Sequence, residues 1–249
     1  VYQTIYATIK PNLPKYFGIT PKTPFEIRKT EDFRAASGTA EYLPGDLASN
    51  RPGVLYVPIL DPTKINITHD DMEALFLHEA IPGHHFQFSI QNENKSVPEF
   101  RQNYWNSALG EGWALYTESL GKELGLYTNP YHQLGALGME MHRAIRLVVD
   151  TGLHTGKMTR EQAIAYDMQH EPISEESATA EIERYMSAPG QALSYKIGQL
   201  KIIELRDKYK KQLGDKFSIR DFHDSILKGG VMPLTVFENY MDDWAKSVM

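Results

Sequence analysis

The sequence predicts a mainly α-helical protein with a small β-sheet, an α+β class, and three observations carry that expectation. Pro11, Pro14, Pro21, Pro24, Pro44, Pro52, Pro58 and Pro62 cut residues 1 to 62 into pieces too short for long helices beyond the first ten or so positions. Within that stretch Phe25-Glu26-Ile27-Arg28 and Val54-Leu55-Tyr56-Val57-Pro58-Ile59 read as short strands, the second stopped by its proline. From Thr68 onward apolar residues recur at three- and four-residue spacing, the signature of helices with one buried face.

Two regions follow: an N-terminal lobe over 1–62 and a helical region over 63–249, expected to form one structural unit. Thr68 or His69-Asp70 caps the first long helix, which runs on through Phe86, Phe88 and Ile90. Pro98 opens the next, continuing to about Leu124. The helix from Tyr131 to about Leu153 carries Leu134, Leu137, Met141, Ile145 and Val148 at helical intervals, and Gly152 and Gly156 end it. Thr159-Arg160-Glu161 starts another, and Ser174-Glu175-Glu176-Ser177 caps one that stops before Pro189. Helices over Gln191 to Gln212, Ile219 to Leu227 and Leu234 to Val248 close the chain.

Composition narrows the chemistry. With 249 residues and 41% hydrophobic content the chain can bury a sizeable core. A net charge of −6 and the lack of a basic stripe argue against a nucleic-acid partner. No apolar run approaches the roughly 20 residues of a membrane span. Zero cysteines exclude a disulfide framework or a thiolate metal site, leaving His, Asp and Glu as ligands for a transition metal.

The densest chemistry lies in His78-Glu79-Ala80-Ile81-Pro82-Gly83-His84-His85, beside the apolar run Ala74-Leu75-Phe76-Leu77. A helix bearing His-Glu-x-x-His sets two imidazoles one turn apart, with the glutamate placed to deprotonate a metal-activated water. Here the position four after His78 is Pro82, which cannot ligate. Proline lacks an N–H for the carbonyl four residues back, and glycine adopts backbone angles closed to other residues. If Pro82-Gly83 loop out as a bulge, His84 falls where the second histidine belongs. His85 remains an alternative, although in a regular helix it lies about 10.5 Å further along the axis. A catalytic zinc needs a third protein ligand and one open position. Glu111, in Leu109-Gly110-Glu111-Gly112-Trp113-Ala114-Leu115-Tyr116-Thr117-Glu118, is the candidate, and Glu118, seven residues on and on the same face, could support a histidine from behind, as could His85. A lone helical glutamate is usually a solvated charge, and a lone histidine usually packs; the expectation of one Zn²⁺ rests on their co-occurrence within eight positions.

These residues resemble a known family. His78-Glu79-x-x-Pro82-Gly83-His84-His85-x-Gln87, then Gly110-Glu111-Gly112-Trp113-Ala114-Leu115-Tyr116-x-Glu118, then Arg184-Tyr185-x-x-x-Pro189-Gly190-Gln191-Ala192-Leu193-Ser194-Tyr195-Lys196-Ile197-Gly198 are similar to the bacterial "domain of unknown function 885" family. Asn50-Arg51-Pro52-Gly53 also resembles it. That family is regarded as zinc metallopeptidases of the gluzincin kind, which implies a zincin-like catalytic domain. The second block is similar to the gluzincin segment whose glutamate is the third zinc ligand, which places that role on Glu111. The resemblance implies a peptide substrate cut by a metal-activated water with Glu79 as general base. It further implies a tyrosine or histidine donor to the oxyanion, with Tyr195 first, then Tyr185 and His154, and an edge strand, assigned to Gly53 to Ile59, that pairs with extended substrate.

Family members are usually about twice this length and often carry a secretory or lipoprotein signal. The chain is therefore expected to be a C-terminal catalytic half, periplasmic or secreted as a lipoprotein, with the N-terminal half packed against it. Arg184 and Lys196 could bind a substrate carboxylate, or pair with Glu181 or Glu183 on a solvated face; the sequence gives no placement for Arg143, Asp150 and Gln191. Two other functions compete: a non-catalytic helical scaffold or peptide-binding domain, and a zinc hydrolase of a non-peptide ester or amide.

Overall fold

The computed structural model describes residues 1–32, 40–58, 69–102 and 104–249. Helices α1 (Tyr2–Ile9) and α2 (Leu13–Tyr16) precede strands β1 (Phe25–Lys29), β2 (Glu41–Leu43) and β3 (Gly53–Val57). The rest is helical: α3 (Met72–Glu79), α4 (His84–Glu93), α5 (Glu99–Gln102), α6 (Ser107–Glu118), α7 (Pro130–His154), α8 (Arg160–His170), α9 (Glu175–Ser187), α10 (Ser194–Leu213), α11 (Ile219–Gly229) and α12 (Leu234–Val248). The expectation of a mainly helical chain with a small sheet holds. Ile59, Thr68 and the boundary at 62/63 lie outside the described residues.

The sheet runs β1-β3-β2, with β1 parallel and β2 antiparallel to β3. Gly53-Val54-Leu55-Tyr56-Val57 is apolar nearly throughout and takes the centre, as a strand flanked on both sides should. This corrects the assignment of Gly53 to Ile59 as a substrate-pairing edge: both hydrogen-bonding sides of β3 are used, by Phe25–Lys29 and Glu41–Leu43. Strand β2, three residues long, had no sequence signal.

Two further boundaries differ from expectation. The helix expected from Pro98 to Leu124 is two helices, because extended Asn106 interrupts it and its side chain accepts from Leu109 N to start α6 afresh. The helix expected from Gln191 starts at Ser194, after a turn whose Gly190 has φ of 80°. Elsewhere the caps act as read: Thr159 and Gln162 form a reciprocal capping box for α8, and Ser174 accepts from Ser177 N for α9.

One hydrophobic core joins α1 and the sheet to the motif helices and the C-terminal helices, with Ile9, Leu55, Phe76, Leu77, Trp113, Tyr209, Phe222 and Phe237 all fully buried. A smaller core of Ile145, Val149, Ala163, Ile164, Ala178, Ile182, Tyr185 and Ala192 ties the C-terminal half of α7 to α8 and α9. Helices α6 and α10 approach closely. A Cβ on Gly198 would meet Ala108 O at 1.7 Å, and one on Gly112 would meet Gly198 Cα at 2.4 Å. Two facing glycines let the backbones touch, which sets Glu111, next to Gly112, close to Tyr195, one turn before Gly198.

Candidate metal centre

The motif helix ends at Glu79 and a new one starts at His84, with Ala80 to Gly83 forming the break and a cis Ile81–Pro82 peptide within it. His85 N donates to Ala80 O at 3.0 Å, closing the turn across the break. Gly83 is needed here for space rather than for a left-handed φ, since its φ is −72° and a Cβ would lie 1.9 Å from His78 O. The interruption strips helical donors from nearby carbonyls, and α6 replaces them: Thr117 Oγ1 donates to Leu77 O at 2.9 Å, and Trp113 Nε1 to Pro82 O at 3.1 Å. One face of α6 thus holds both sides of the break in register with its own two glutamates.

The result brings four predicted residues together. Glu111 Oε2 stands 3.3 Å from His84 Nε2 and 3.7 Å from His78 Nε2. On the far side of the His78 ring, Nδ1 is 2.6 Å from Glu118 Oε1. That bond keeps a proton on Nδ1 and makes Nε2, which faces Glu111 and His84, the nitrogen able to ligate a cation. The two imidazoles are perpendicular, 5.0 Å between centroids. Glu79 also lies at the site, with a carboxylate oxygen within 4.8 Å of one nitrogen on each of His78 and His84. Glu111 Oε2 faces both imidazole nitrogens from the neighbouring helix and is the candidate third ligand, with Glu79 beside the pair.

A divalent ion fits this geometry. Tetrahedral zinc with bonds of about 2.0–2.1 Å sets its ligand atoms roughly 3.3–3.4 Å apart. Glu111 Oε2 is buried and has no hydrogen-bond partner, as expected of an atom whose partner is a cation. Without an ion the charges compensate internally. Burial pulls His78 down, but Glu111 and Glu118 outweigh it and hold the imidazole up at about 9; burial raises Glu111, and His78 and His84 more than reverse that, leaving it well below the usual carboxylate range.

His85 does not belong to this group, which corrects its supporting role and removes it as the alternative to His84. It leads α4 one residue after His84, so its ring turns about 100° away, toward the sheet. There Nδ1 lies 2.9 Å from Tyr42 Oη and the ring packs 5.0 Å from Phe25. Burial lowers it to about 4, so it is neutral.

Tyr195 is at the site, its ring stacked on His78 at 6.0 Å and 19°. Burial first and Glu111 second raise its hydroxyl above the ordinary tyrosine range, so the proton stays on. Tyr185 is instead committed elsewhere, donating to Glu181 at 2.7 Å and accepting from Arg146 Nε at 2.9 Å. His154 pairs with Asp150 at 2.7 Å. Arg184 pairs with Glu181, as one of the two readings had it: its Nη2 donates to Glu181 at 2.9 Å and its Nη1 to Gln191 Oε1 at 3.1 Å; Lys196 pairs with neither Glu181 nor Glu183 but with Glu140, and donates to Gln199 at 2.7 Å. Among the described residues Arg184's partners are Glu181 and Gln191, not the histidine cluster.

A second group, His142, Asp167 and Glu171, escaped the sequence because 25 residues separate its first two members. It is not equivalent to the first. Arg146 Nη2, always a donor, gives a hydrogen bond to His142 Nε2 at 2.9 Å, so Nδ1 carries the proton donated to Glu171 at 2.6 Å. The ring has no lone pair left for a cation.

No curated protein matches the chain. Solved structures do match it. A crystal structure described as "the putative lipoprotein from Colwellia psychrerythraea" matches at 36% identity and TM-score 0.94, covering 99% of this chain and 42% of that one. One described as "a putative lipoprotein of unknown function" from Shewanella oneidensis matches at 26% identity and TM-score 0.75, over 95% of this chain and 45% of that one. The chain spans less than half the length of either. A family profile described as "Bacterial protein of unknown function (DUF885)" matches residues 1–241. The chain belongs to the bacterial DUF885 family.

Proposed function

We propose that this chain is the zinc-binding part of a zincin-like metallopeptidase. The observation that carries the reading is the convergence of His78 Nε2, His84 Nε2 and Glu111 Oε2 at separations of 3.3 and 3.7 Å, with Glu118 fixing the tautomer of His78. When bound, zinc would supply Lewis acidity and lower the pKa of a water. Glu79 is the general base: it adjoins a ligand in sequence but is not needed as a third ligand, since Glu111 fills that role. Tyr195 keeps its proton and donates to the oxyanion, its hydroxyl oriented by Gln191 Nε2 at 3.5 Å. A structural zinc site would need four closed ligands and no base.

The partner readings are proposals of the same standing. The substrate is a peptide. The longer chains of the two similar structures, and the exposed apolar residues Tyr131, Leu134, Leu137 and Met141 on α7, support an N-terminal half packed against this one. Among the described residues no helix is long and apolar enough to cross a membrane. The descriptions of the two similar structures support a lipoprotein outside the cytoplasm.

The test is turnover of short peptides by the zinc-loaded protein and by Glu79→Gln. We expect hydrolysis by the native chain and a loss of about 10²–10⁴-fold in the variant at unchanged zinc content. Equal turnover by both forms would overturn the role of Glu79; zinc binding without hydrolysis of peptides would overturn the peptidase reading.

A further inference from the structure

Tyr195 has a cationic neighbourhood that its proposed role does not use. Arg143 and Arg146, three residues apart on α7, place their guanidinium carbons 5.6 and 4.8 Å from the centre of its ring. Arg146 is only 5% exposed. Its Nε donates to Tyr185 and its Nη2 to His142 and to Glu181 at 3.1 Å, but its Nη1 is buried without a hydrogen-bond partner. Arg143 is emptier: beyond one 3.5 Å contact from Nη1 to Met139 O, its Nε is buried and unpartnered.

Glu181 serves Arg146, Arg184 and the Tyr185 hydroxyl at once, and Glu171 is taken by His142. No carboxylate among the described residues pairs with Arg143. Leaving a buried guanidinium N–H unsatisfied is costly, and two adjacent guanidiniums add repulsion; an incoming anion removes both costs. The same tyrosine ring stacks on His78, so the spare donors lie one aromatic ring from the zinc ligands. One or two residues of extended peptide, at roughly 3.5 Å each, bridge such a gap.

We propose that Arg143 and Arg146 form a carboxylate-binding subsite. The substrate would then be a short peptide whose C-terminal carboxylate, or an acidic side chain, lies one or two residues beyond the bond cut. This rests on the metallopeptidase reading and moves the carboxylate-binding role from Arg184 and Lys196, both already paired, to two arginines with donors to spare.

The test uses sets of short peptides identical but for one change: free C-terminal acid or C-terminal amide, and Glu or Gln next to the C-terminus. With the zinc-loaded protein we expect kcat/KM to fall about tenfold or more when the recognised carboxylate is neutralised, mainly through KM. Arg143→Ala should bring that ratio toward one, and Arg143→Lys should recover part of it. Calorimetric binding of the same peptides to Glu79→Gln gives a second readout that needs no turnover and should show the same preference. A preference lost on amidation identifies the C-terminus, and one lost on Glu-to-Gln exchange identifies a side chain; either supports the subsite. Acid and neutral peptides cut and bound alike, before and after Arg143→Ala, overturn the subsite while leaving the metallopeptidase reading intact. Carboxylate-selective binding with no hydrolysis of any peptide overturns the peptidase reading and keeps the subsite.

Discussion

At the scale of single residues, the site is a matter of which atom of each side chain is left unused. Glu118 Oε1 occupies Nδ1 of His78 at 2.6 Å, so only Nε2 can face the centre. Removing that partner frees the ring to rotate and lowers its basicity. We therefore expect Glu118→Gln to keep the fold but weaken zinc binding about 10–100-fold, measured by competition with a chelator; affinity equal to the native protein's would show that Glu118 does not support the ligand. The histidine–glutamate set was legible in the sequence because its members crowd into eight positions and one neighbouring block. His84 was favoured over His85 there only on the supposition of a bulge, because the choice depends on how far the chain rotates through Pro82-Gly83. Arg143 and Arg146 were equally illegible, since nothing local sets them over the ring of Tyr195, some 50 positions away.

At the scale of elements, glycines decide how closely helices approach. Gly112 and Gly198 read in the sequence only as parts of family-like blocks, and their physical reason is the backbone contact between α6 and α10. Alanine is favoured over glycine inside a helix by about 1 kcal/mol. At Gly198 that gain loses to a Cβ placed 1.7 Å from Ala108 O, which must push the helices apart. Overpacking of this kind costs typically 1–3 kcal/mol and sometimes more. Gly198→Ala should therefore destabilise by about 2 kcal/mol or more in chemical denaturation. Gly138→Ala in α7, where a Cβ meets nothing within 4 Å, should be neutral or stabilising by up to about 1 kcal/mol. Equal effects of the two would remove the close crossing as the device that sets Tyr195 beside Glu111. Element boundaries were legible where a capping side chain sits beside a periodic run, as at Thr159 and Ser174. They were lost at Asn106, whose cap is hidden inside what reads as one continuous helix.

At the scale of the whole molecule, the N-terminal strands and the helical region share one core, and the break in the motif helix faces both. The sheet takes the His85 side and α6 the His78 and His84 side, so adjacent histidines are sorted to opposite surroundings, one neutral among aromatic rings and one among carboxylates. The mainly helical class was legible because it follows from proline placement and periodicity. The order of the sheet was not, because it depends on β2, a three-residue strand without a pattern of its own.

The central claim is that His78, His84 and Glu111 hold one divalent ion together. Elemental analysis of the protein after zinc loading and exhaustive dialysis tests it most directly, applied to the native chain, Glu79→Gln and His84→Asn. The account predicts about one zinc per chain in the native protein and in Glu79→Gln, and loss of most of it in His84→Asn. A native chain that retains no zinc, or a His84→Asn variant that retains as much as the native, would contradict it.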